Sequence, residues 1–62
     1  MVKSVLIVDD KTMRLALSVL FNAEDDFHVC GHANNGREAI ELAQVLSPDM
    51  VVMDFSIPEV NV

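Results

Sequence analysis

The sequence predicts an α/β fold in which three short strands alternate with two amphipathic helices around a parallel sheet. Three observations carry that expectation. Apolar runs of strand length stand at the beginning, middle and end of the 62 residues. Between them lie two stretches whose apolar residues recur at helical spacing. Acidic, Asn-Gly and Ser-Pro punctuation separates the segments.

Val2 to Val8 (VKSVLIV) is β-branched and apolar, and Asp9-Asp10 ends it. Its core, Val5-Leu6-Ile7-Val8, is continuously rather than alternately apolar, which predicts a strand covered on both faces. Thr12 to Glu24 follows as a helix with Met13, Ala16, Leu17, Leu20 and Phe21 on its apolar stripe and Asp10 as its N-cap. Asn22 to Asp26 is polar and closes it. Phe27 to Ala33 (FHVCGHA) reads as a second strand, more polar and therefore at an edge. Asn34-Asn35-Gly36 is a turn signal. Arg37 to Leu46 predicts a second helix, with Ala39, Ile40, Ala43 and Leu46 facing inward. Ser47-Pro48-Asp49 stops it, because proline cannot continue a helix. Met50 to Phe55 (MVVMDF) is the third strand, and Ser56 to Val62 forms a loop around Pro58.

Strands joined by helices must run parallel, and such crossovers are right-handed in ~98% of cases. If the second and third strands flank the first on opposite sides, the helices fall on opposite faces. The carboxyl ends of strands one and three then become neighbours at the switch point where open α/β sheets bind ligands.

Composition narrows the function classes. A net charge of −6, with only four Lys or Arg, argues against nucleic acid, whose phosphates call for clustered cations. No run approaches the ~18 apolar residues of a membrane span, and no signal-peptide pattern is present. The single cysteine, Cys30, rules out an intramolecular disulfide and fits a reducing compartment, so a cytoplasmic location is expected. A chain this short buries only ~60% of the surface its unfolded form exposes. With 52% hydrophobic residues, it is expected to need a partner.

Asp9, Asp10 and Asp54 carry the chemistry. The topology brings these three carboxylates to one crevice, where their mutual repulsion is costly unless a hard cation neutralises it. Mg²⁺ fits, since it takes few carboxylates, keeps its waters and accepts a phosphate oxygen. A carboxylate beside it can attack phosphorus to give an acyl phosphate. The competing reading is a helix cap plus an unrelated surface acid.

The stretches VLIVDD, GHANNGREAIELAQVLSPDMVVMDF and SIPEVN resemble the receiver domains of two-component response regulators, in particular the group with a C-terminal helix-turn-helix output domain. The resemblance covers essentially the whole chain. It implies a flavodoxin-like fold with strand order 2-1-3-4-5, of which the first three strands are present. It also implies that Asp54 accepts the phosphoryl group, that Asp10 binds Mg²⁺ directly and that Asp9 does so largely through water. The backbone carbonyl of Ser56 matches the remaining protein ligand, and Pro58 the proline of the loop after the phosphorylation site. Two departures stand out. A whole receiver is a domain of ~100–150 residues. Residues 1–62 are therefore expected to be a truncated single unit lacking strands four and five and helices three to five. With those go the Ser/Thr and Lys that contact the phosphoryl group. The family's glycine two residues after Val60 is Val62 here.

Other residues attract blander readings. His28, Cys30 and His32 alternate on one face of the second strand, but the outer pair would stand ~13 Å apart at strand spacing. Zinc bonds of ~2.0–2.3 Å do not gather all three. Lys11 is expected to be a solvated charge in the first helical turn. Met13, Met50 and Met53 are expected to be core filler.

Met50 to Phe55 would leave an unpaired apolar edge, which natural proteins rarely expose. The expectation is a homodimer whose third strands pair about a two-fold axis, antiparallel, completing one sheet. Three function classes remain open: a phospho-accepting signalling module recognised by a sensor histidine kinase, a non-phosphorylated dimerisation or decoy unit, and a bare folding fragment. No nucleophile–base pair points to an enzyme.

Overall fold

The run Val5-Leu6-Ile7-Val8 forms the middle of a three-stranded sheet and is wholly buried. A computed structural model describes residues 1–53 of the chain. Its elements are β1 (Lys3–Val8), α1 (Lys11–Asn22), β2 (Phe27–Ala33), α2 (Gly36–Leu46) and β3 (Met50–Met53), and the strand order is β2-β1-β3. Both pairings are parallel. The expected β-α-β-α-β order, the edge position of β2 and the central, doubly covered β1 are all present. Residues 54 and 55 of the expected third strand lie outside the described residues.

Side chains of β1 alternate between two faces. Leu6 and Val8 join Ala33 and Ala39 in a buried cluster, against which Leu42 and Ala43 of α2 and Met53 of β3 pack. Val5 and Ile7 point to the opposite face, where α1 lies. Phe27, paired with Lys3 and so on that same face, meets Phe21 of α1 edge to face at 5.4 Å between ring centroids. Such a pair adds ~0.5–1.5 kcal/mol beyond its buried area.

Both helices start on side-chain caps. Asp10 accepts from the Met13 N–H at 2.9 Å, and Asn35 accepts from the Glu38 N–H at 2.9 Å. Glu38 reaches back to the Asn34 N–H at 2.8 Å, one residue beyond the usual capping box. α2 ends on Ser47 in the left-handed conformation (φ 47°), whose N–H donates to the Ala43 carbonyl.

The helical stripes differ from expectation. In α1 the half-buried positions are Arg14, Leu17, Ser18 and Phe21, whereas Met13, Ala16 and Leu20 are exposed. The reason is placement: α1 packs over β2 and β1, and neither helix lies over β3 among the described residues. Met13 is therefore not core filler. In α2 the inward positions are Ala39, Leu42 and Ala43, whereas Ile40 and Leu46, both expected to face inward, are exposed.

A bulge alters β2. The register passes from Val5↔Val29 to Leu6↔Gly31 and leaves Cys30 as the extra residue, its thiol donating to the Val5 carbonyl at 3.4 Å. His28 then pairs with Ser4 and His32 with Ile7, positions of opposite parity on β1. The two histidines lie on opposite faces, which corrects the expectation that His28, Cys30 and His32 share one.

Candidate functional site

The carboxyl end of β1 is built by its neighbours. The Asp9 N–H donates to the Ala33 carbonyl at 3.1 Å, extending the β1–β2 pairing by one residue. Its carboxylate is nearly buried, with 7% of its surface accessible. One oxygen accepts the Asp10 N–H at 2.7 Å. That bond turns the chain from strand into helix and fixes the side chain at the sheet's end. Asp10 is exposed and uses Oδ1 for its capping bond, which leaves its other oxygen directed by the same anchored rotamer.

Register brings β3 to the same place. Val8 pairs with Met53, so the residues that end β1 and β3 stand side by side. β2 and β3 flank β1 on opposite sides, which makes this the switch point of the sheet. The described residues thus contain Asp9 and Asp10 of the predicted acid cluster. Asp54, the backbone carbonyl of Ser56 and Pro58 lie outside them. Among the described residues no group of three His, Cys, Asp or Glu is arranged to hold a metal ion.

The donor chemistry of the two placed acids suits a hard cation. Both offer carboxylate oxygens only, and the nearly buried Asp9 has the Asp10 N–H as its one hydrogen-bond donor among the described residues. A buried carboxylate without a cationic partner carries a desolvation cost that a divalent ion removes.

Two features were not legible as such in the sequence. Arg14 sits in the half-buried stripe of α1, and its Nε is buried without a hydrogen-bond partner. The signal available was an arginine four residues after the cap, set between the apolar Met13 and Leu15. Asp49, read as part of a stop signal, binds Ser4 of β1 and ties the start of β3 to the start of the central strand.

Residues 5–61 match the family model of the response regulator receiver domain. The chain is 53% identical over 59 residues to protein-glutamate methylesterase/protein-glutamine glutaminase 3 of Paramagnetospirillum magneticum, covering 94% of this chain and 17% of that protein. It is 47% identical over 60 residues to the chemotaxis protein CheY of Thermotoga maritima, covering 95% of this chain and 49% of that one. The crystal structure of the response regulator domain of Thermotoga maritima CheB matches with a TM-score of 0.90 at 38% identity, over 95% of this chain and 45% of that chain. The chain thus spans less than half the length of each of these relatives. No helix of the described residues is long and apolar enough to cross a membrane. Strand order, the acid pair at the switch point and a match along nearly the whole sequence agree, and the chain belongs to the response regulator receiver family of two-component signalling.

Proposed function

We propose that the chain is a phospho-accepting module of a cytoplasmic two-component relay. Asp54 is the acceptor, and Asp9, Asp10, Asp54 and the backbone carbonyl of Ser56 hold one Mg²⁺. The observation that carries this reading is the register. Met53, bonded along the chain to Asp54, pairs with Val8, which is bonded to Asp9. Asp9 and Asp10 bring negative charge to the crevice, and bound Mg²⁺ would neutralise it along with the phosphoryl oxygens. An Asp54 carboxylate oxygen then forms the new O–P bond. The donor's P–N or P–O bond breaks, and its electron pair stays with the donor. In this reading the chain is a substrate of a sensor histidine kinase rather than an enzyme, and it does not bind nucleic acid.

The test is intact-mass spectrometry of the 62-residue chain after incubation with a small acyl phosphate and Mg²⁺. A mass gain of one phosphoryl group, abolished by Asp54→Ala and by chelation, supports the reading. An unmodified chain under conditions that label a longer receiver sinks it.

A second reading, self-association without phosphorylation as a dimerisation or decoy unit, is favoured by β3. Among the described residues β3 neighbours β1 alone, and Val51 is 43% exposed. The flank of α1 bearing Met13, Ala16 and Leu20 is exposed as well. A second copy that pairs its β3 antiparallel to this one would cover that edge. Sedimentation equilibrium decides: twice the 6.8 kDa monomer mass, reverting to one on Val51→Lys, supports the dimer, and a folded monomer excludes it.

A further inference from the structure

The second half of α1 and the start of β2 form an open groove of about 300 Å³ lined by Leu17, Leu20, Phe21, Glu24 and Phe27. Leu17, Leu20 and Phe21 recur at the spacing of one helical face, and Phe27 continues that face with its ring edge-on to Phe21. Leu20 keeps 66% of its surface accessible. Apolar exposure runs on from it to Ala16 and Met13, so the strip from Met13 to Phe21 is about 12 Å long, roughly two helical turns.

The charge beside this strip is one-sided. Glu24, Asp25 and Asp26 follow directly on the helix and are all exposed. α1 has no basic residue in its last turn, so the negative end of its dipole adds to the three carboxylates. Lys3, which pairs with Phe27, is one cation against those three acids. The Glu24 N–H donates to the Phe21 carbonyl at 3.1 Å and the Phe27 N–H to the Glu24 carbonyl at 3.4 Å, which holds the acidic turn at the end of the groove.

We propose that this groove docks a basic amphipathic helix of another protein. Its apolar side chains sit over Leu17, Leu20, Phe21 and Phe27, and its Lys or Arg side chains face Glu24, Asp25 and Asp26. A helix laid in a groove presents anchors at i, i+3, i+4 and i+7, which suits a strip of two turns. The apolar anchors supply affinity, and the acidic rim selects a cationic partner over an acidic one. A second copy of this chain is a poor occupant. It carries a net charge of −6, and a two-fold contact here would set like acids against like. Nucleic acid and anionic membrane are repelled by the same rim. The groove stands at the Lys3 end of β1, away from Asp9 and Asp10, so docking does not draw on the acid crevice.

The experiment is an NMR titration of the full 62-residue chain with a synthetic helical peptide of about 15 residues, ~22 Å long, with Leu on one face and Lys elsewhere. A second titration uses the same peptide with Glu in place of Lys. The lysine peptide is expected to shift the Leu20 methyl and the Phe21 and Phe27 ring signals saturably, and to bind more weakly as salt is raised. The glutamate peptide is expected not to bind. Leu20→Ser, at an exposed position, should weaken the lysine peptide about tenfold. Glu24→Gln, Asp25→Asn and Asp26→Asn together should weaken it about fivefold, whereas Glu41→Gln, exposed on α2 across the sheet, should leave it unchanged. Binding of the glutamate peptide, an equal loss with Glu41→Gln, or a Leu20→Ser variant that keeps its fold and binds as well as the parent chain would each overturn the proposal. So would sedimentation of the parent chain as a dimer that Leu20→Ser returns to monomer, which would give the groove to a second copy.

Discussion

Ser4 and Asp49 hold each other through both backbone and side chain. The Ser4 N–H donates to Asp49 Oδ2 at 2.7 Å, and the Ser4 hydroxyl donates to the same oxygen at 3.2 Å. In return the Asp49 N–H is shared between the Ser4 carbonyl and hydroxyl oxygens, both at 3.0 Å. The pair joins the start of β1 to the residue just before β3 across 45 residues of sequence, in line with the register that places Met53 beside Val8.

Asp49 makes this clamp sensitive to acid. The Ser4 N–H chiefly, then the Ser4 hydroxyl, hold its carboxyl below the ordinary value of 3.8; desolvation opposes them and the charge of Lys3 adds to them. A lowered folded pKa means that the stabilisation is complete above 3.8 and is lost as pH falls through the folded value. Asp49→Asn is therefore expected to flatten the acid limb of the stability curve, measured by urea midpoints between pH 2 and 6, roughly the range in which carboxyls titrate. An unchanged limb would remove Asp49 from the account.

Asp10 caps α1 and, in the proposed reading, also holds Mg²⁺, and two substitutions separate these roles. Asp10→Ala removes the bond to the Met13 N–H and should cost about 1 kcal/mol of stability. Asp10→Asn keeps a capping oxygen and should hold stability within a few tenths of a kcal/mol. Both should weaken Mg²⁺ binding, read by calorimetry. Equal losses of stability in the two variants would contradict the capping role.

Gly31 is there for Leu46. A Cβ built on it would lie 2.8 Å from Leu46 Cδ1 and 3.3 Å from Leu6 Cδ1. The end of Leu46 is part exposed and can swing away, whereas Leu6 is wholly buried and has no such freedom. Gly31→Ala should cost about 1 kcal/mol, and Gly31→Val about 2–3 kcal/mol through overpacking. Thermal melts would show the order; a stabilising Val would refute the packing account.

Ser47 pays the left-handed penalty that a helix-ending glycine avoids. An L-residue there costs ~1–2 kcal/mol, and glycine returns part of that through its larger unfolded-state entropy. Ser47→Gly should raise stability by about 0.5 kcal/mol, and Ser47→Val should lower it by about 1 kcal/mol. Chemical denaturation of the three chains checks the ranking.

Element order could be read from the residues alone, because each element is written locally. A continuous apolar run marks β1, the cap at Asp10 and the turn signal Asn34-Asn35-Gly36 mark the helix starts, and Ser47-Pro48 marks the end of α2. The acid pair was legible too, since strand-end carboxylates stand next to one another in the chain. Which faces lie inside depends on packing between elements. Of the helical stripe Met13, Ala16, Leu17, Leu20 and Phe21, Leu17 and Phe21 are half-buried as expected, whereas Arg14 and Ser18 take the inward places of the other three because α1 sits over β2 and β1. Likewise a single bulge at Cys30 sends His28 and His32 to opposite faces, which no period-two reading contains. The Ser4–Asp49 clamp and the unpartnered Arg14 Nε are also products of packing. Periodicity specifies that a helix has an apolar side, whereas the direction of that side is set by what lies beneath it, and that is a contact between residues far apart in sequence.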